Sequence, residues 1–207
     1  MSLRDKAYRL IKEKIVTLEL EPLAVIDEQA MMESLGLGRT PIREALLRLA
    51  HEDLVLIIPR RGMFVSDISI TDLQKIFEIR VPLEGFCARL AAERMSPKLQ
   101  AQLEEVLHEL DQVSSDNSRA FMKVDEHFHT LLYEATGNEF LSQILHRLYV
   151  LSLRLWFFAI DRLGHVKTAV EQHRAIAQAL KEGDGEKAAT LLQQHVAEFQ
   201  QEVRSVL

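Results

Sequence analysis

A single cysteine, Cys87, stands in 207 residues, which excludes an intrachain disulfide. It lies in an apolar helical stretch, where a buried and inert thiol is expected. No run of 18 uninterrupted apolar residues occurs, and the first fourteen residues form a charged amphipathic pattern without a signal-peptide core. Neither a membrane span nor a secretory leader is expected, and the chain is read as cytoplasmic. Internal repeats and low-complexity linkers are also missing. Nor is there a basic excess: the net charge is −6, which argues against a general chromatin-type binder. What is present is ample apolar content, 47%, in a length that exceeds one typical domain.

The charge is unevenly spread. Residues 1–65 hold ten Lys/Arg and ten Asp/Glu, so the acidic excess lies entirely in residues 66–207. Within the neutral part the basic groups cluster at Arg39, Arg43 and Arg48 and again at Arg60 and Arg61. Gly36 follows the apolar positions Ala30, Met31 and Leu35 as a residue that tolerates positive φ and ends a helix. Thr40-Pro41 then reads as an N-cap with proline at the first helical position, starting a new helix near Pro41. Ile42, Ala45, Leu46, Leu49 and Ala50 recur at helical spacing and face inward, leaving the arginines at the turn and on the outer surface. A helix N-terminus ringed by guanidinium groups can bind phosphate or read guanine edges. Two β-prone runs, Val55-Leu56-Ile57-Ile58 and Met63-Phe64-Val65, flank the basic turn Pro59-Arg60-Arg61-Gly62. The competing reading is a helical core with solvated surface arginines; the basic hairpin directly after the second helix favours DNA.

The run Arg39-Thr40-Pro41-Ile42-Arg43-Glu44-Ala45-Leu46, with Arg48-Leu49 and the Pro59 to Val65 hairpin, resembles the winged helix-turn-helix of GntR-type bacterial transcription regulators. The resemblance implies that Arg39, Thr40, Arg43, Arg48, Arg60, Arg61 and Gly62 meet operator DNA. Two positions depart from the family pattern. Gly38 replaces a usual serine and loses a hydroxyl that could bond a phosphate. Asp53 replaces a common glycine, and aspartate tolerates left-handed geometry better than most residues.

Beyond Val65 the pattern is helical throughout. Helices are expected over Ile70–Arg94, Pro97–Val113, Ser118–Ala135, Glu139–Arg162, Lys167–Glu182 and Gly185–Val206. They are punctuated at Ser96-Pro97, Ser114-Ser115-Asp116-Asn117, Thr136-Gly137-Asn138, Leu163-Gly164 and Gly183-Asp184. Short connections imply an antiparallel bundle. The fold class is therefore mainly α: a winged helix-turn-helix over residues 1–68, then an all-α antiparallel helical bundle over residues 69–207.

Asp125 and His129 are four apart and share a helix face beside Phe128 and Leu132, while His173 and His195 lie on the fifth and sixth bundle helices. Short connections can bring this carboxylate and three imidazoles together, a set suited to Zn²⁺, Ni²⁺ or Mn²⁺. Buried histidines bonded to carbonyls are commoner, and spacing alone leaves both readings open. His127 points elsewhere on its helix and is read as surface or outer shell. His51, His108, His146 and His165 are read as structural.

The segments Asp125-Glu126-His127-Phe128-His129, Glu171-Gln172-His173-Arg174-Ala175-Ile176 and Leu192 through His195 resemble the FadR C-terminal domain, FCD, that follows this winged helix in the FadR subfamily. The resemblance implies that Asp125, His129, His173 and His195 bind a divalent metal. Arg80 interrupts the apolar progression Ile76, Phe77, Ile79, Val81, Leu83, and Arg80-Val81-Pro82-Leu83-Glu84 is similar to the family segment whose arginine faces the effector cavity. A small carboxylate effector is implied, with Arg154, among Leu151, Leu153, Leu155 and Trp156, as a second contact. The competing role for both arginines is a salt bridge, for example to Glu84 or Glu78. The expected function is a ligand-responsive transcription factor, a repressor rather than an activator, binding a palindromic operator as a homodimer. Leu153, Trp156 and Phe157 are read as part of the dimer interface. Two other readings compete: a metal-dependent enzyme, which lacks a general base placed by motif and leaves the wing unexplained, and a constitutive DNA binder with a structural metal.

Overall fold

The alternation of caps and apolar stripes in the chain produces nine helices and a two-stranded sheet among the residues that the computed structural model describes, 2–113, 117–159 and 166–206. The order is α1 (Leu3–Val16), α2 (Glu28–Leu35), α3 (Arg39–His51), β1 (Val55–Ile58), β2 (Gly62–Val65), α4 (Ile70–Glu93), α5 (Pro97–Gln112), α6 (Ser118–Ala135), α7 (Glu139–Ala159), α8 (Val166–Lys181) and α9 (Gly185–Val206). No helix among the described residues is long and apolar enough to cross a membrane. The expected end of α7 at Arg162, the Leu163-Gly164 stop, His165, and Ser114, Ser115 and Asp116 of the stop after α5 lie outside the described residues.

The chain divides into two compact units. One comprises Met1–Asp72 with Val150–Phe158, the other Leu73–Tyr149 with Ala159–Leu207.

In the first unit α3 packs against α1, α2 and β1, burying Ile42, Ala45, Leu46 and Leu49 against Ala7, Ile11 and Ile15. Leu46 is fully buried, so Leu46→Ala should lower stability by about 2–5 kcal/mol in urea unfolding. A loss below about 0.5 kcal/mol would contradict this packing. Side-chain caps begin the helices. Ser2 accepts from the Asp5 N–H at 3.1 Å and Asp27 from the Gln29 and Ala30 N–H groups at 2.8 and 3.1 Å.

The start of α3 differs from expectation. Gly38 is its N-cap, with extended backbone and no side-chain bond, so Thr40 lies inside the first turn instead of capping it. Pro41 can follow two residues into the helix because the first turn's N–H groups have no intrahelical acceptor to lose. Gly36 at φ 63° closes α2, and Asp53 at φ 60° takes the left-handed turn after α3.

Strands β1 and β2 pair antiparallel from Val55↔Val65 to Ile58↔Gly62, and Arg60, at φ 63°, sits on the exposed tip. The free edge of β2 is covered by an earlier segment. The Leu23 and Ile26 N–H groups donate to the Val65 and Met63 carbonyls, and the Val65 N–H donates to Ala24.

The second unit is helical. Its largest fully buried side chains include Tyr133, Phe77, Phe128, Leu73, Leu103 and Leu110. Ser96 caps α5 ahead of Pro97, Asn117 caps α6 and Asn138 accepts from Leu141 at the start of α7. Pro82 lies inside α4 and leaves the Glu78 carbonyl without its helical donor; Pro82 faces solvent. Leu153 and Trp156 do not serve as an exposed interface: they are buried within the protomer, 5% and 7% exposed, because α7 turns that face inward. The large exposed apolar side chains of the bundle helices are instead Ile79, Phe86, Phe140, Ile144 and Phe158.

Candidate functional site

Helix α6 presents Asp125 and His129 one turn apart, α8 presents His173, and α9 presents His195. All four side chains are buried, and one ligand atom from each lies within 4.8 Å of the others. Asp125 Oδ1 is 3.0 Å from His173 Nε2 and 4.0 Å from both His129 Nε2 and His195 Nε2. The other Asp125 oxygen, Oδ2, accepts from the Tyr149 hydroxyl at 2.7 Å, which aims Oδ1 at the imidazoles.

The protons decide what this arrangement is for. His173 Nδ1 is 2.5 Å from the Ala169 carbonyl, an oxygen that can only accept, so the ring proton sits on Nδ1. His173 Nε2 lies 3.0 Å from Asp125 Oδ1 and, among the described residues, is a buried nitrogen without a hydrogen-bond partner. Gln172 Nε2 donates to Glu198, which turns its Oε1 toward His195 Nδ1 at 2.7 Å and places the proton there too. Burial first, then the neighbouring His173, pushes the His195 pKa well below its usual value, so its Nε2 lone pair is free. Burial opposes the Asp125 charge, yet the surrounding imidazoles outweigh it and hold the carboxyl below the usual range. Three imidazole nitrogens converging on a buried carboxylate oxygen, two of them, on His173 and His195, oriented by an acceptor on the far side of the ring, fit a divalent cation. Phe128 packs its ring edge-on to His173, with centroids 4.4 Å apart, and limits the ring's rotation.

Arg80 reaches this site from α4. It is buried, its Nε donates to Glu84 Oε1 at 3.0 Å, and its guanidinium lies 5.0 Å from the Tyr149 ring centroid. The salt bridge to Glu84 and a place beside the cluster thus coexist. Arg154 is not brought there. Five residues beyond Tyr149 on α7, it points roughly 140° around the helix, and its Nη2 donates to the Ser66 carbonyl at 2.7 Å. That geometry removes Arg154 from the effector contacts expected of it. Burial lowers the Arg154 pKa to about 10, and its Nε has no partner among the described residues. His127 is exposed and pairs with Glu109 at 3.2 Å, as a residue outside the cluster.

In the first unit, Arg39, Thr40, Arg43, Arg60, Arg61 and Gly62 are all exposed, in or beside the N-terminal half of α3 and at the hairpin tip. Arg43 lies 3.6 Å from Glu28. Arg48 is braced more firmly: its guanidinium stacks 3.7 Å from the Tyr8 ring centroid and its Nε donates to Glu52 at 3.3 Å, while Tyr8 also donates to Glu52 at 2.7 Å. The residues that sequence reasoning missed are the supports Tyr149, Tyr133 and Gln172, whereas Glu84 is the salt-bridge partner expected for Arg80. Tyr133 alone carried a usable signal, since Asp125, His129 and Tyr133 follow one another at intervals of four along one helix face.

The description "Bacterial regulatory proteins, gntR family" matches residues 3–65, and the FCD domain matches residues 75–198, more than half of the chain. The chain belongs to the GntR family, with an FCD domain. Among similar GntR-family proteins, the HTH-type transcriptional repressor RspR of Escherichia coli K12 is 26% identical over 204 residues, covering 98% of this chain and 89% of RspR. The repressor GlaR of the same strain is 27% identical, covering 91% of this chain and 90% of GlaR. The solved structure of E. coli McbR/YncC superposes with a TM-score of 0.84 at 25% identity, covering 100% of this chain and 97% of that one. This GntR-family chain is a DNA-binding transcription regulator.

Proposed function

We propose that the protein is a homodimeric repressor that contains a metal ion and releases a palindromic operator when a small carboxylate binds. The carrying observation is the meeting of Asp125 Oδ1 with three imidazole Nε2 atoms beside the buried Arg80. Asp125, His129, His173 and His195 would hold Zn²⁺, Ni²⁺ or Mn²⁺, and such an ion supplies a Lewis-acidic position at which an oxygen ligand can exchange. Arg80 offers the remaining edge of a planar guanidinium, already held at Nε by Glu84, to the effector carboxylate. Residues 69–207 thus carry effector, metal and dimer contacts, and residues 1–68 carry the reading head.

At DNA, Arg39, Thr40 and Arg43 present the start of α3 to the major groove, while Arg60, Arg61 and the Gly62 backbone follow the adjacent phosphates. Arg48, held by Tyr8 and Glu52, is the member of the set least free to leave its place. A second copy follows from the few base pairs that one recognition helix can read. Repression is supported by the names of RspR and GlaR. Effector binding that favours one spacing of the two heads over another weakens operator binding by the same coupling free energy.

The test is a thermal-shift screen of metal-loaded protein against small carboxylic acids, beside Arg80→Lys, which keeps the charge next to Glu84 but removes the fork. One acid should stabilise the wild type, by about 2.7 kcal/mol at a hundredfold excess over its Kd. In the variant its affinity should fall at least tenfold, and the same acid should release operator DNA. No stabilisation by any acid, or equal binding to the variant, would remove the effector reading.

A further inference from the structure

On the Nδ1 side of His129, α4 and α6 gather three buried polar groups, Arg80, Glu84 and Tyr133, around one carboxylate oxygen. The Tyr133 hydroxyl is 2.6 Å from Glu84 Oε1 and 3.4 Å from His129 Nδ1. Glu84 Oε1 is also 3.6 Å from that nitrogen and accepts from Arg80 Nε at 3.0 Å. One carboxylate oxygen therefore gathers the tyrosine, the arginine and the histidine, while Glu84 Oε2 has no partner among the described residues.

The donors and acceptors around this oxygen are fixed by the bonds themselves. Glu84 Oε1 accepts from Arg80 Nε at 3.0 Å and from the Tyr133 hydroxyl at 2.6 Å, so it is the acceptor in both contacts. The phenol proton goes to Glu84 over 2.6 Å, which leaves only the acceptor side of the Tyr133 oxygen for His129. Both oxygens near His129 Nδ1 are then acceptors.

We infer that Glu84 and Tyr133 are positioning residues that hold His129 as the Nδ1–H tautomer, keep its Nε2 lone pair on the metal cluster, and tie that ligand to Arg80 through one carboxylate oxygen. The inference rests on the metal reading for its affinity consequence only; the tautomer is a property of the protein itself. Outer groups of this kind typically change metal affinity 10–100-fold when removed. They also give the effector-facing arginine and a metal ligand a shared, fully buried partner, so a displacement of Arg80 is felt at His129.

Tyr133→Phe and Glu84→Gln separate the roles. The phenylalanine keeps the buried ring and deletes only the hydroxyl; the glutamine keeps the shape of Glu84 and can present N–H groups to His129. Nitrogen-15 NMR of the histidines in metal-free protein should show His129 as a single Nδ1–H tautomer in the wild type and as a mixture or the opposite tautomer in Glu84→Gln. Zn²⁺ affinity, measured by competition with a chromophoric chelator, should fall about 10–100-fold in both variants. An Nε2–H tautomer in the wild type overturns the inference whatever the metal does, as does wild-type Zn²⁺ affinity in both variants. If wild-type protein binds no Zn²⁺, Ni²⁺ or Mn²⁺, the metal reading fails while the NMR result still decides the tautomer. Should Tyr133→Phe not fold, the wild-type spectrum and Glu84→Gln carry the decision.

Discussion

His173→Ala is expected to abolish stoichiometric metal binding. His173 provides the Nε2 atom nearest to Asp125 Oδ1, at 3.0 Å, and it is a buried nitrogen without a hydrogen-bond partner among the described residues. Removing a direct ligand should cost more than the 10–100-fold typical of supporting residues. The effect extends to stability, because an ion that binds only the folded chain contributes about 4 kcal/mol at a thousandfold excess over its Kd. For a chain of this size that corresponds to a midpoint on the order of 10 °C lower. A chelator should reproduce the drop in the wild type and add nothing in the variant. Metal content by elemental analysis and a melting curve with and without chelator check this. One ion per chain in the variant, or a chelator-insensitive wild type, would sink the assignment of His173 as a ligand.

The second large effect concerns DNA. With the operator obtained by selection from random duplexes, Arg43→Ala should lose about 1–3 kcal/mol per half-site, the value of a good bidentate base contact. Two half-sites then lose at least tenfold in affinity, together with preference at the contacted base pairs. The double variant Arg60→Ala, Arg61→Ala should behave differently. It removes charges at an exposed hairpin tip, so affinity should fall across sequences alike, and the salt dependence should flatten by about one unit of slope for each phosphate no longer neutralised. Fluorescence anisotropy against operator and scrambled duplexes over a salt series distinguishes the two. An Arg43→Ala protein with unaltered sequence preference would mean that α3 does not read bases through that residue.

Most of the fold was legible because helical chains announce their ends. Gly36 and Asp53 take the left-handed conformations that their chemistry suggested, and the bundle helices begin at the expected residues to within one position among those described. The start of α3 departs from the sequence pattern because Thr40-Pro41 satisfies a local capping rule, whereas Gly38 opens the helix without any side-chain bond. At the cluster, four histidine and aspartate positions converge as helical spacing and resemblance suggested. Their supports were harder to see. Glu84 and Tyr149 come from α4 and α7, 45 or fewer residues from His129 in sequence, with no periodicity linking them to it. Arg154 shows the same limit from the other direction: a lone cation in an apolar run announces a buried partner but not which one, and the partner is a backbone carbonyl 88 residues away.

The strand edge closed by Leu23 to Ile26 has a consequence for how the reading head comes into being. Those residues precede their partners on β2 by some forty positions, and loop closure over that distance is costly before any contact rewards it. A two-stranded hairpin alone is marginal in water. The wing should therefore form late, after α1 to α3 have assembled, and a peptide of the hairpin alone should stay unstructured. A chain with a formed wing is one whose whole N-terminal unit has already folded, so partly folded chains have no complete surface to offer DNA.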